Sequence, residues 1–273
     1  MSTGQTVLLG AIAGFTIFLG LPLGRMRGGS ASLRTFLNGL SAGILVFLLF
    51  DILEHATEPV EEAVVDKAWG HLAAVGFLYV AGFGVGLMAL TYVGRLWRRR
   101  APQASLGPGA MAVAEAEADR VKSDALRVGM SIATGIGLHN FSEGLAIGQA
   151  AHSGEVSLAL LLVIGFALHN GTEGFGIVGP LAAADARASW GWLLLAGLIG
   201  GGPTFLGTLV GTTFHSDLVF VAFLALAGGA ILYVIGELFS AGRRLSWETT
   251  LWGVFAGFAI GLATELVLVA AGA

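Results

Sequence analysis

Long apolar segments alternate with short polar connections along the whole chain, and their lengths are close to the ~20 residues that a helix needs to cross a bilayer. Eight such segments are predicted, at about 7–23, 37–53, 72–93, 126–151, 158–181, 190–213, 218–239 and 251–271. The predicted fold is an all-α integral membrane protein with eight transmembrane helices in a single domain over 1–273. Only the connection at about 95–125 is long.

The basic residues predict how these helices are oriented. Alternating eight spans puts thirteen of the fourteen Lys and Arg residues on one side, and only Lys67 on the other. The positive-inside rule makes the basic side cytoplasmic, so both termini are predicted to be external.

The composition and motifs of the chain argue against several classes of function. The chain is 55% hydrophobic and 12% charged, with a mean hydropathy of +0.82. It has no cysteine, which excludes thiolate ligands and argues against soft metals such as copper(I). A Gly-rich Lys-Ser/Thr motif for nucleotide is absent, so no ATP-driven pump is predicted. The few basic residues lie beside membrane spans, and Arg98, Arg99 and Arg100 are expected to contact anionic lipid. Nothing in the sequence indicates a nucleic-acid partner.

A duplicated polar motif interrupts the fourth and fifth apolar segments. The heptapeptide LHNFSEG at 138–144 recurs 30 residues later as LHNGTEG at 168–174. His and Glu four residues apart lie on one face of a helix. Ionisable residues inside a membrane are costly and mark functional sites by default. The two copies therefore predict one shared site.

The short connection between these segments makes the helices antiparallel neighbours. His139 should then face Glu173, and Glu143 should face His169. Two imidazoles and two carboxylates match a divalent cation, with zinc as the first choice because four such ligands complete a tetrahedral shell. Iron(II), manganese, cobalt or cadmium would accept the same ligands. Asn140 and Asn170 could hold a second, weaker ion. The alternative is a buried polar network that only joins helices.

Two further groups are candidates for the ends of an ion path. Asp51, Glu54, His55 and Glu58 lie at the external end of the second predicted helix, where acidic side chains would attract cations. A solvated loop start would have the same pattern. Glu237 could receive ions on the cytoplasmic side, or it could pair with Arg243 or Arg244.

The paired motifs resemble those of the ZIP (Zrt-, Irt-like protein) family of divalent metal transporters, whose fourth and fifth helices carry His-x-x-x-Glu-Gly pairs. The Pro- and Gly-containing stretch at 200–211 is similar to that family's sixth helix. Some members have a Glu there that completes a second metal site, and 202–205 has none. Many members have Pro where this chain has Ser142 and Thr172. The resemblance implies a 3+2+3 inverted-repeat plan and an elevator-like movement of helices 1, 4, 5 and 6 against 2, 3, 7 and 8. It is compatible with a homodimer.

The predicted function is a secondary transporter that carries divalent d-block metal into the cytoplasm, without a prosthetic group. The competing prediction is a membrane-embedded metal-dependent hydrolase that uses the same His/Glu site with a Glu base. The motifs of zinc proteases and di-iron bundles do not occur in the sequence.

Overall fold

A computed structural model describes residues 2–25, 30–100, 110–152, 154, 156–213 and 216–271, without the side chains at 93–100, 110–112, 114, 157, 158, 161, 169, 268 and 271. Within these residues the chain forms eight α-helices. They are α1 (Thr3–Phe15), α2 (Ala31–Val65), α3 (Trp69–Arg100), α4 (Ala110–His152), α5 (Val156–Ala183), α6 (Trp190–Gly211), α7 (Asp217–Leu245) and α8 (Trp247–Ala271).

Six stretches of the described residues are long and apolar enough to cross a membrane by length and composition. They are Thr3–Arg25, Ala31–Val65, Trp69–Tyr92, Trp190–Gly211, Asp217–Leu245 and Trp247–Val267. The helices outside this set, α4 and α5, carry the two polar motifs. The all-helical membrane fold is therefore confirmed, and a crossing by all eight helices stays a prediction.

Several helices differ in length from the predicted apolar segments. α2 continues to Val65, so the acidic cluster at 51–58 lies within a helix rather than where a helix ends. α4 begins at Ala110, so most of the predicted connection at 95–125 is helical, and its centre lies outside the described residues. Apolarity ends where a membrane would end, whereas a helix continues wherever its polar side chains remain solvated.

The solvated start of α4 has its own local stabilisation. Arg120 donates to both oxygens of Glu117, at 2.9 and 2.7 Å, and lowers the pKa of that carboxyl. An ion pair at this spacing supports a helix outside the membrane.

The first helix is shorter than its predicted apolar segment at 7–23. α1 ends at Phe15, and the chain continues as 3₁₀ turns at Thr16–Leu19 and Leu21–Arg25.

Serine caps begin four of the helices, and two helices end in a left-handed residue other than glycine. Ser2, Ser30, Ser189 and Ser216 each accept a hydrogen bond from a first-turn amide of α1, α2, α6 and α7. α2 and α5 end in Schellman motifs, in which Lys67 (φ 54°) and Asp185 (φ 52°) take the left-handed position that glycine usually occupies.

Glycine lets helices pack backbone against backbone within two groups. A Cβ on Gly144 of α4 would lie 2.2 Å from the Thr204 carbonyl oxygen of α6. A Cβ on Gly14 of α1 would likewise lie 2.2 Å from the Gly201 carbonyl oxygen of α6. Similar contacts, at 2.1 Å, join Gly43 of α2 to α8 and Gly86 of α3 to α7. A Cβ on Gly129 of α4 would also lie 2.7 Å from the Ile177 carbonyl oxygen of α5, so α1, α4, α5 and α6 form one group joined through their backbones. The other four helices form the second group, in which such contacts join α2 to α8 and α3 to α7.

Side chains mediate the contacts between the two groups. Phe141 of α4 packs on Phe223 of α7, with ring centroids 4.4 Å apart. A Cβ on Gly135 of α4 would meet the Ile231 side chain of α7 at 3.3 Å, a close contact with a side chain rather than with backbone. On the other side, Ser41 of α2 lies against Gly179 of α5. The backbones are thus further apart at these contacts than at the glycine contacts within the first group.

Candidate metal centre

The first motif places an imidazole and a carboxylate together in the protein interior. His139 and Glu143 occupy successive turns of α4, and His139 Nε2 lies 3.1 Å from Glu143 Oε1. Both residues are at most 5% exposed, and Glu173 on α5 is fully buried. Buried carboxylates are tolerated only with strong partners, because desolvation penalises their charge.

The second motif lies next to the first. Glu173 is near enough to interact electrostatically with His139, as antiparallel packing of α4 and α5 predicts. The side chain of His169 lies outside the described residues, although its backbone is part of α5. Among the side chains that are described, no three of His, Asp and Glu are close enough together to hold an ion. The four-residue site of His139, Glu143, His169 and Glu173 therefore stays a prediction.

The two asparagines join the helices around this site. Asn140 Nδ2 donates to Asn170 Oδ1 at 2.5 Å and to the Gly200 carbonyl at 3.0 Å. Asn170 Nδ2 donates to the Ala13 carbonyl at 3.2 Å. Four helices, α1, α4, α5 and α6, are thereby connected through two fully buried amides.

The same hydrogen bonds bear on the second ion that was predicted between the asparagines. Asn170 Oδ1 already accepts a hydrogen bond, whereas Asn140 Oδ1 is buried with no hydrogen-bond partner among the described residues. In this arrangement one amide oxygen is available to a cation instead of two. A weak second ion at this point remains a prediction.

The acidic cluster of α2 extends from the surface toward the motif. Glu54 and Glu58 are exposed, the His55 side chain is half exposed, and the Asp51 side chain is 17% exposed. His55 Nδ1 lies 2.9 Å from the Asp51 carbonyl oxygen and 3.6 Å from its carboxylate. Asp51 and His55 are also within electrostatic range of His139. Asp51 and His55 thus lie near the candidate centre, at the inner end of the cluster.

Glu237 is half-buried on α7, next to Leu238, whose carbonyl accepts a hydrogen bond from the buried Asn38 of α2 at 3.0 Å. No ion pair joins Glu237 to Arg243 or Arg244, which are both within the described residues. The pairing alternative therefore gains no support, and the exit role is untested.

Sequence reasoning missed two features. Arg34 of α2 forms an ion pair with Asp185 after α5, at 3.0 Å, which no local pattern predicts because 151 positions separate them. Ser142 is 1% exposed and its hydroxyl has no hydrogen-bond partner among the described residues. The available signal in the sequence was that Ser142 follows His139 by three residues, which makes the two side chains neighbours on a helix.

Long apolar helices around buried His, Asn and Glu define a multi-pass membrane protein with a polar interior. The sequence matches the ZIP zinc transporter family over residues 105–264, which is more than half of the chain. This chain belongs to the ZIP zinc transporter family, so the resemblance is confirmed. It is also 26% identical over 236 residues to the zinc transporter ZupT of Corynebacterium aurimucosum, covering 84% of this chain and 83% of that protein.

Family membership decides between the two predicted functions. The protein is a transporter of zinc or a similar divalent metal and not an enzyme, so the hydrolase alternative is wrong. It is a multi-pass membrane protein, and its bacterial relative indicates the cell membrane.

Proposed function

We propose that this transporter carries divalent d-block metal ions, zinc first, into the cytoplasm through a site formed by His139, Glu143, His169 and Glu173. All eight helices cross the membrane, and both termini are external. The observation that carries the proposal is the burial of two carboxylates beside an imidazole on adjacent helices. Glu143 is 5% exposed and Glu173 is fully buried. A divalent cation would neutralise both charges, because two neutral imidazoles add none.

The ligand chemistry selects borderline metals. Nitrogen and carboxylate oxygen together suit zinc, iron(II), cobalt, manganese and cadmium, and four ligands suit zinc best. The name of the relative, a zinc transporter, supports the same choice. No prosthetic group is required, since the metal is the substrate.

The path begins at Asp51, Glu54, His55 and Glu58 and ends near Glu237. A cluster of negative charge raises the local concentration of cations before they reach the buried site. The decrease in exposure from Glu58 to Asp51 supports this direction of entry.

Transport requires that the site open alternately to the two sides. The packing supports a movement of α1, α4, α5 and α6 as one body, because backbone-to-backbone glycine contacts join these four helices. Side-chain contacts such as Phe141 with Phe223 separate the two groups and can rearrange more easily. The homodimer stays an expectation from the family resemblance.

The test is zinc influx into proteoliposomes that contain a metal-sensitive dye. Replacing His139, Glu143, His169 or Glu173 by Ala should in each case reduce the initial rate at least tenfold, because the loss of a side chain that binds the metal costs more than ~1.4 kcal/mol. Glu248→Ala is the matched control, since this glutamate is exposed at the start of α8. Wild-type influx in two of the four variants would contradict the four-residue site.

A further inference from the structure

Two buried hydroxyls among the described residues lack the hydrogen bond that their counterparts make. The other buried Ser and Thr side chains within a helix or at its end donate to a backbone carbonyl three or four positions earlier. They are Thr6, Thr35, Ser41, Thr208, Thr212 and Thr250. Such back-bonding satisfies a hydroxyl locally. Ser142 and Thr204 are the two that do not make it.

The packing explains the case of Thr204. The carbonyl four positions earlier, at Gly200, already accepts a hydrogen bond from Asn140. The Thr204 side chain also lies against Gly14 of α1, where a Cβ would be only 2.9 Å from Oγ1. The Thr204 hydroxyl is therefore closely packed against α1, beside a carbonyl that already has another donor.

The Ser142 hydroxyl makes no hydrogen bond either to the Leu138 carbonyl four positions earlier or to any other group among the described residues. Ser142 is 1% exposed, so bulk water does not reach it. A buried hydroxyl without a partner is destabilising, and its presence calls for an explanation.

Its position on α4 relates Ser142 to the candidate metal centre. Residues three apart are neighbours on a helix surface, so Ser142 lies beside His139 and directly precedes Glu143. Gly135, two turns earlier, contacts Ala230 and Ile231, which places this side of α4 toward α7. The buried residues of α7 in this region include Leu224 and Ala227, which offer no polar side chain.

We propose that the Ser142 hydroxyl accepts a hydrogen bond from a water molecule carried on the transported ion, and so favours ions that keep water. This inference rests on the proposed function. Four ligands complete the shell of tetrahedral zinc. A six-coordinate ion such as Co²⁺ or Mn²⁺ would keep two waters on the same ligands. Water bound to a divalent cation is a strong donor, and a neutral oxygen beside His139 is suited to accept from it.

The experiment compares Co²⁺ and Zn²⁺ influx into proteoliposomes that contain the full-length protein. Ser142→Ala should lower the ratio of Co²⁺ to Zn²⁺ rates about two- to tenfold, the range for one hydrogen bond. Ser142→Cys should lower it similarly, because sulfur is a weak acceptor. Ser142→Thr, which retains the hydroxyl, should keep the wild-type ratio. In detergent, the absorption of bound Co²⁺ should change from weak six-coordinate bands to stronger four-coordinate bands in Ser142→Ala.

Ser41→Ala is the matched control, since Ser41 is equally buried but donates to the Leu37 carbonyl at 3.1 Å. Its ion ratio should equal that of the wild type. An unchanged ratio in both Ser142→Ala and Ser142→Cys, with an unchanged Co²⁺ spectrum, would overturn the inference. That result differs from failure of the proposed function, in which His139→Ala would transport both ions at the wild-type rate.

Discussion

Arg34 and Asp185 form an ion pair, with Nη1 3.0 Å from Oδ2, that joins the start of α2 to the turn after α5. It therefore connects the two helix groups. The pair lies at the edge of an apolar cavity of about 340 Å³, which is lined by Leu37 of α2, Phe175 of α5 and neighbouring side chains. Next to the ion pair, α2 and α5 are therefore not in full contact. Asp185 holds its carboxylate here from a left-handed backbone conformation (φ 52°) that is usually left to glycine.

Breaking this pair should accelerate transport if the two groups must separate in each cycle. Asp185→Asn should raise the initial zinc rate about two- to fivefold, because a half-exposed pair contributes at most about 1 kcal/mol. Asp185→Gly should act similarly without lowering the melting temperature, since glycine relieves about 1 kcal/mol of backbone strain. Initial-rate influx and thermal unfolding in detergent measure the two effects.

Lys67→Gly is the matched control for that prediction. Lys67 has the same cap position at the end of α2, with φ 54°, and forms no ion pair among the described residues. The Lys67→Gly protein should be slightly more stable than the wild type and should transport zinc at the same rate. An unchanged rate in Asp185→Asn would show that the pair does not restrain the movement.

The number of ions per protein follows from the ligands available. We expect one tightly bound zinc ion on His139, Glu143, His169 and Glu173, and a second ion only at higher concentration. Calorimetric titration should show one strong site, with a weak second site that disappears in Asn140→Ala. Two equally occupied ions at low metal concentration, by anomalous scattering, would refute this order.

The contact between α4 and α6 should not tolerate a side chain at Gly144. A Cβ there would lie 2.2 Å from Thr204 O and 2.8 Å from Thr208 N, both backbone atoms that cannot rotate away. Gly144→Ala should therefore destabilise the protein by about 1–3 kcal/mol, measured as a lower melting temperature. Gly236→Ala on α7, where a Cβ would meet nothing within 4 Å, should be neutral or stabilising. Equal melting temperatures would contradict the close packing.

The predicted topology can be tested directly because the natural chain has no cysteine. Gly4→Cys, exposed before the first predicted span, should react with a membrane-impermeant maleimide in intact cells. Ser123→Cys, exposed in the solvated part of α4, should react only after permeabilisation. Labelling in the reverse order would place the termini in the cytoplasm. The cysteine-free parent is the background control.

The sequence by itself determined the helical membrane class, the family and the candidate ligands. Apolar length and the positions of Lys and Arg are local properties, and they need no contacts to be interpreted. The 30-residue repeat of His-Asn-x-x-Glu is likewise visible in one dimension, and helical periodicity alone places His139 beside Glu143. The lengths of the spans and the placement of His139 beside Glu143 depend only on the rise and period of an α-helix, which are the same in every long helix.

Only the tertiary structure decided which groups meet across helices and which hydrogen bonds remain unmade. Asn140 contacts Gly200, and Arg34 meets Asp185, through packing that no local pattern encodes. The lengths of α2 and α4 also escaped prediction, because hydropathy reports where a membrane ends and not where a helix ends. The burial of the Ser142 hydroxyl without a hydrogen-bond partner became visible only in the packed structure, since burial depends on neighbours that are distant in the chain.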